Sequence, residues 1–416
     1  LEKKKKVRFL KVIFLIQLFC VSNSIFPQTN IFEKDSKLQT SNSKLQTSRI
    51  VVGAERLDVL LPKIQGKQVG LVVNHSSRAG ETHLVDTLFD LGVCVARIFA
   101  PEHGFRGAAD AGELVNDGQD PRTGTPIISL YGKKKKPAPE DLEAVDVVVF
   151  DIQDVGARFY TYISTLYLLL EVCVEQGKPV IVLDRPNPNG HYVDGPVLDM
   201  RLSSFVGVAP LPVVHGCTVG ELARLFVGEQ WVFQSHKFDL QVITCENYTH
   251  QTPYFLPIKP SPNLPNALSI LLYPSLCLFE GTTVSVGRGT DWPFQMVGEP
   301  HFPNDSFWFV PRPNAASRYP PHEGWVCKGY DLRDLPLDTL LAQKQLNLKY
   351  LLDFYRQLPN KESFFLKNGF FELLAGTSSL RKQIEEGKTE AEIRATWQAD
   401  LEAFQEIRKK YLLYPE

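Results

Sequence analysis

From residue 69 onward, short runs without a polar interruption alternate with longer stretches of mixed character. Val69-Gly70-Leu71-Val72-Val73-Asn74 opens the series, and residues 93–99, 126–131, 146–151 and 179–184 repeat it. Apolar runs of this length read as strands covered on both faces. Between them, residues 82–91 and 160–174 read as helices. A further helix opens at residues 218–226, with Thr218 or Cys217 near its N-cap and Glu221 in its first turn. A shorter run, Pro212-Val213-Val214-His215, is read as a sixth strand. The pattern predicts an α/β fold, with a Rossmann-like parallel sheet domain over residues 49–245.

Residues 246–416 break this rhythm. Proline-rich turns occupy 257–265 and 311–321, and the end is helical, with Ile393, Trp397, Leu401, Phe404, Ile407 and Tyr411 on one face. This part reads as a second, smaller C-terminal α/β domain, with the active-site cleft between the two.

The first residues follow another pattern. Lys3 to Lys6, Arg8 and Lys11 precede an apolar core at 12–21 and the small residues Ser22-Asn23-Ser24. This is the layout of a signal peptide over residues 1–24, so the chain is expected to be exported and periplasmic. Lipid anchoring at Cys20 is disfavoured by the bulky Phe19 before it. Residues 25–48 repeat Ser-Lys-Leu-Gln-Thr-Ser at 36–41 and 43–48 and read as a flexible tether.

Composition narrows the partners. The 416 residues are 44% hydrophobic with a net charge of −2, which allows sizeable cores and gives nucleic-acid binding no support. Beyond Cys20 the cysteines are Cys94, Cys173, Cys217, Cys245, Cys277 and Cys327. They are widely spaced and form no disulfide framework by spacing, and Cys94 and Cys173 read as small buried hydrophobes.

Chemistry gathers where the strands end. The ends carry Asn74-His75-Ser76-Ser77, Glu102-His103 with Arg106, Asp151 to Arg158, Asp184-Arg185-Pro186-Asn187, and His215. Solvated ends favour Lys, Glu and Ser, so five clusters rich in His, Arg, Asp and Asn argue for convergence on one ligand at the sheet edge. Glu102, set among Pro101 and Phe105, is the leading general acid, because an apolar setting raises a carboxyl pKa. A salt bridge from Glu102 to Arg106 is the structural alternative. Arg106, Arg158 and Arg185 are candidates for clamping a carboxylate in forked geometry. A metal site from His75, His103, His215, Asp151 and Asp184 lacks compact ligand spacing, so no metal is expected. No Gly-x-Gly-x-x-Gly joins the first strand to its helix, so no nucleotide cofactor is expected either. No Gly-x-Ser-x-Gly elbow is present; the run from Glu280 to Thr290 is expected to line the pocket from the second domain. Lys133 to Lys136 is read as a solvated loop.

These runs resemble the NamZ family of exo-β-N-acetylmuramidases. The matching stretches are residues 70–75, Pro101-Glu102-His103-Gly104-Phe105-Arg106-Gly107, residues 150–162, residues 183–188, Phe279-Glu280-Gly281-Thr282, residues 374–377 and Tyr411-Leu412-Leu413-Tyr414-Pro415. The resemblance covers residues 50–416 and implies a Rossmann-like domain, a smaller C-terminal domain and a site between them. It implies release of N-acetylmuramic acid from the non-reducing end of peptidoglycan-derived muropeptides or disaccharides. The family's acid falls on Glu102. Within that implication Asp151 and Asp154 are further catalytic candidates. Asn74, His75, His103, Tyr160, Asp184, Asn187, His215 and Glu280 join the three arginines as substrate-binding candidates. The second catalytic group stays open. It is either a carboxylate or the substrate's acetamido oxygen, with Asp151, Asp154 or Asp184 holding its N–H. A non-catalytic peptidoglycan binder and a cell-wall amidase or esterase are the rival readings.

Overall fold

Seven strands form the main sheet of the computed structural model, which describes residues 49–101, 104, 106, 117–235 and 237–416. The expected signal peptide and tether, and Glu102 and His103, lie outside the described residues. The strands are β1 (Val69–Val73), β2 (Val95–Ala100), β3 (Gly118–Gln119), β4 (Pro126–Ser129), β5 (Val147–Asp151), β6 (Val180–Leu183) and β7 (Leu240–Ile243). Their order is β3-β4-β2-β1-β5-β6-β7. Every pairing is parallel except the edge pair of β3 and β4. Counted in chain order, the parallel strands lie third, second, first, fourth, fifth, sixth, which is the Rossmann arrangement. The direction of winding reverses between β1 and β5, and in such sheets ligands bind beyond the carboxyl ends of those two strands.

Both faces of the sheet are buried, as the unbroken apolar runs require. Leu71, Val73, Ile98, Val149, Ile181 and Ile243 pack on one face against α1 (Leu57–Ile64) and α2 (Leu84–Asp90). Val72, Phe99, Val148, Phe150 and Val182 point to the other, against α3 (Tyr162–Glu175) and α4 (Val219–Gly228). Alternation along each strand sends successive residues to opposite cores. Leu166 and Leu170 of α3 are wholly buried, and each such side chain contributes roughly 1.5–3 kcal/mol. The cap of α4 is as expected: Thr218 accepts from Glu221 N, and Glu221 accepts from Thr218 N.

The sixth parallel strand is not the one the sequence pattern suggested. Residues 212–215 form no strand; Val214 makes only isolated bridges to Ala157 and Asp194. It therefore links the segments that follow β5 and β6. The true sixth strand is β7, an edge strand half-exposed from Leu240 to Val242 and interrupted by Gln241. A three-residue apolar run in a buried connection and a mixed run at a sheet edge exchange their signals.

The larger core continues without a break from the sheet into the C-terminal half, past residue 245, as far as Phe404. This half contains α5 (Ala267–Leu276), α6 (Leu337–Gln343), α7 (Lys349–Gln357), α8 (Phe370–Ala375), α9 (Ser379–Glu385), α10 (Glu390–Ala395) and α11 (Gln398–Lys409). It also holds an antiparallel sheet of β8 (Met296–Glu299), β9 (Trp308–Phe309) and β10 (Cys327–Asp331), ordered β8-β10-β9. The terminal apolar face is confirmed at Trp397, Leu401 and Phe404, all buried. The lysine run is solvated as expected, with Lys133, Lys135 and Lys136 exposed, and it also makes surface contacts. Lys134 pairs with Asp141, Lys136 with Glu171, and Lys135 lies over the Phe205 ring. All six cysteines after the leader are unpaired, and Cys94 is exposed where burial was expected, whereas Cys173 is buried.

Candidate functional site

The crevice at the winding reversal is built from two turns stitched together. After β1, Asn74 Oδ1 accepts from Ser76 N at 2.9 Å and Ser76 Oγ at 2.6 Å. Asn74 N donates to Ser77 Oγ at 2.9 Å. Ser77 Oγ in turn donates to Asp151 O, and Gln153 N donates to Ser76 Oγ at 3.1 Å. Two serines thus lock the end of β1 to the end of β5. His83, a residue the sequence pattern did not single out, holds the Asn74 carbonyl through Nε2 at 2.9 Å. Its Nδ1 accepts from Val85 N, which places the proton on Nε2. Burial lowers the His83 pKa, so the ring stays neutral in this role. Residues from the C-terminal half close the side: His75 Nε2 meets Lys259 O at 2.9 Å, and Tyr160 Oη donates to Pro260 O at 2.8 Å.

The three aspartates at the strand ends do different work. Asp151 is buried, and both its oxygens are held by Arg185, from Nε at 2.6 Å and Nη2 at 2.9 Å. Asp184 is also buried and accepts four bonds, from Arg185 N, Gly220 N, Thr218 Oγ1 and Tyr414 Oη. It ties α4 and the chain end beneath β6, which corrects its reading as a substrate ligand: no lone pair is turned toward a ligand. Asp154 differs. Its Oδ2 accepts from Gly156 N at 2.7 Å and stands 3.5 Å from His215 Nε2, and its Oδ1 is buried without a partner. His215 Nδ1 accepts from Cys217 N, so a neutral His215 presents its Nε2 proton toward Asp154.

Asp184 makes a pH prediction. Burial pushes its pKa up to about 6, against the lowering effect of the Tyr414, Thr218 and Gly220 donors. The unfolded value is about 3.9, so the native state holds the extra proton between the two values. Stability due to this group is then fully present below the unfolded value and declines as pH rises toward 6. Compared with Asp184→Asn, the wild type is expected to lose ~2–3 kcal/mol of relative stability across that window. Urea titrations of both proteins at several pH values check this. A wild type that gains on the variant as pH rises would mean that the four donors outweigh burial.

The arginine readings need correction. Arg158 is fully buried and donates to three carbonyls, Pro196 O, Leu211 O and Leu374 O. Both its terminal nitrogens are spent on the main chain, which leaves no fork for a ligand carboxylate. Arg106 is held by Asp86 and Asp120, each at 2.9 Å, so its fork anchors the segment after β2 instead of standing open. Arg185 lies at the reversal and uses Nε and Nη2 on Asp151, with Nη2 also on Arg78 O. Asn187 braces turns: Nδ2 donates to Cys217 O, and Oδ1 accepts from Asn189 N. A Cβ on Gly156 would lie 2.2 Å from Asn187 Oδ1, so the turn carrying Asp154 requires glycine there, with φ +81. Glu280 pairs with Arg288. In the same glycine-rich stretch, Ser285 bridges to Gly298 of β8.

The described groups at the reversal are therefore Asn74, His75, Asp151, Asp154, Tyr160, Arg185 and His215. Pro101, from which the Glu102 run leaves β2, is the next residue after a strand that pairs directly with β1.

Most of the chain is similar to known proteins. The family model described as exo-beta-N-acetylmuramidase NamZ, N-terminal, matches residues 69–268, and its C-terminal counterpart matches 271–414. The peptidoglycan beta-N-acetylmuramidase NamZ of Bacillus subtilis (strain 168) is 39% identical over 409 residues, which is 91% of this chain and 94% of that protein. A crystal structure of a DUF1343 family protein from Bacteroides fragilis superposes with a TM-score of 0.82 at 46% identity, covering 89% of this chain and all (100%) of that one. A second DUF1343 family protein from the same organism gives 0.71 at 28% identity, covering 88% and 99%.

Proposed function

The chain belongs to the NamZ exo-β-N-acetylmuramidase family, and from that premise we propose that it is a glycosidase acting on peptidoglycan fragments. It removes N-acetylmuramic acid from the non-reducing end of MurNAc-β-1,4-GlcNAc and longer muropeptides. The observation that carries this reading is the match of both family domains, end to end, over a chain whose polar strand ends gather at the winding reversal. Glu102 is the general acid, protonating the glycosidic oxygen as the bond breaks. Asn74, His75 and Tyr160 line the sugar's berth. Arg185, whose Nη1 is not used on Asp151, pairs with the lactyl carboxylate and so selects muramic acid over glucosamine. The basic and apolar leader at residues 1–24 supports export to the periplasm, where such fragments arise.

Two disaccharides of reversed order test the reading, with products identified by mass. MurNAc-β-1,4-GlcNAc should yield both free sugars, and GlcNAc-β-1,4-MurNAc should remain intact. Cleavage of the second, or release of peptide or acetate from a muropeptide in place of sugar, would replace this reading with another cell-wall hydrolase.

A further inference from the structure

The inventory of partners at the winding reversal separates one carboxylate from the rest. Asp151 has both oxygens on Arg185, and Asp184 has both oxygens on four donors. Only Asp154, among the described aspartates at the strand ends, keeps a buried oxygen without a partner. On the facing turn, Asn74 is wholly buried and its Nδ2 also lacks a partner, while its Oδ1 is fixed by Ser76. Unmatched polar atoms in a buried setting cost roughly 1–3 kcal/mol each, so each calls for a partner such as a water, an ion or a ligand. The two turns are tied to each other through Ser76 Oγ and Gln153 N, so acceptor and donor belong to linked segments at the carboxyl ends of β1 and β5. Asp154 Oδ1 as acceptor and Asn74 Nδ2 as donor are the complement of a secondary amide, and His215 Nε2, also without a hydrogen-bond partner, stands 3.5 Å from the other Asp154 oxygen.

We propose that Asp154 Oδ1 accepts the N–H of the sugar's 2-acetamido group, with Asn74 Nδ2 on its carbonyl oxygen, and that this amide is the internal nucleophile of the reaction. The proposal rests on the glycosidase reading above. The acetamido oxygen attacks C1 and forms the new C–O bond as the C1–O glycosidic bond breaks. The proton on Glu102 passes to the departing oxygen. Positive charge develops on the amide nitrogen, where the Asp154 carboxylate stabilises the oxazolinium ion. Water then attacks C1 from the face that the leaving group vacated and gives its proton to Glu102. The C1–O bond of the oxazolinium opens, and N-acetylmuramic acid leaves with its β configuration retained. Burial makes the Asp154 contact stronger than it would be in water. The Gly156 N bond occupies Oδ2, with His215 Nε2 3.5 Å from the same oxygen, and leaves Oδ1 as the oxygen presented.

The test uses aryl β-N-acetylmuramides whose acetyl group carries none, one, two or three fluorines, hydrolysed by the wild-type protein and by Asp154→Asn. In the wild type kcat should fall steeply with each fluorine, because each weakens the amide oxygen as a nucleophile. The first-formed sugar, read by proton NMR, should be the β anomer. Asp154→Asn should lower kcat for the unfluorinated substrate by about 10²–10³-fold, the range seen when one charge-stabilising group is removed, with little change in KM. A wild type indifferent to fluorination, or one producing the α anomer first, overturns the proposal and leaves the glycosidase intact. These wild-type readings hold even if the variant fails to fold. No sugar release from the unfluorinated substrate or from MurNAc-β-1,4-GlcNAc would instead remove the glycosidase reading, and this proposal with it.

Discussion

Replacing Arg158 with methionine is expected to lower the stability of the fold by ~3–5 kcal/mol. The guanidinium is fully buried and, among the described residues, has no carboxylate beside it. Its charge is balanced by three carbonyl oxygens at 2.7–2.9 Å, contributed by residues 196, 211 and 374. Burial pulls its pKa down to about 9, still above neutral pH, so the side chain stays charged. Methionine fills most of the space but leaves the Pro196 and Leu374 carbonyls without their donor and Leu211 O with Leu198 N alone, and that loss exceeds the relief of removing a buried charge. Natural domains are stable by only about 5–15 kcal/mol, so the variant should sit near its unfolding transition. Gly376 marks the same junction: a Cβ there would lie 2.4 Å from Arg158 Nη2 on a backbone with φ +74. Gly376→Ala should therefore weaken the same contact. Urea unfolding followed by circular dichroism measures both. A loss below ~1 kcal/mol for Arg158→Met would show that the freed carbonyls find other donors.

Arg158 also shows where the sequence stops being informative. The unbroken apolar runs revealed five of the six parallel strands, since burial on both faces leaves no other pattern. The polar strand ends revealed the crevice, because the fold brings the carboxyl ends of all parallel strands to one edge. What those polar groups touch was hidden, as their partners come from far along the chain. Arg158 meets Leu374, which is 216 residues away, and Asp184 meets Tyr414, 230 residues away. A strand-end arginine waiting for a ligand and one stapling two halves of a fold look alike until those partners are known. The Tyr411 to Pro415 run, which carried part of the family resemblance, proves to be structural at Tyr414, whose hydroxyl bonds Asp184. His83 escaped notice because a histidine before a helix reads as an ordinary cap, and it is one. Its second role, on the Asn74 carbonyl, depends on a turn nine residues earlier.

The largest effect on activity is expected at Glu102. A carboxylic acid that protonates the leaving oxygen contributes on the order of 10²–10⁴-fold to the rate. Glutamine keeps the size and polarity of the side chain but has no proton to transfer at that oxygen. Glu102→Gln should therefore bind substrate nearly as well as the wild type and turn it over far more slowly. The loss should be greatest for a poor leaving group such as the 4-hydroxyl of GlcNAc, and smaller for an activated aryl glycoside that departs without protonation. Aspartate at this position should also be slow, since a side chain one methylene shorter misplaces the proton.

The most direct measurement is the rate of free N-acetylmuramic acid release from MurNAc-β-1,4-GlcNAc by the wild-type protein and by Glu102→Gln, followed by mass. Release by the wild type, reduced by ~10²-fold or more in the variant with similar substrate affinity, is the predicted result. Equal rates for the two proteins would contradict Glu102 as the acid, and binding without release by the wild type would contradict the glycosidase itself.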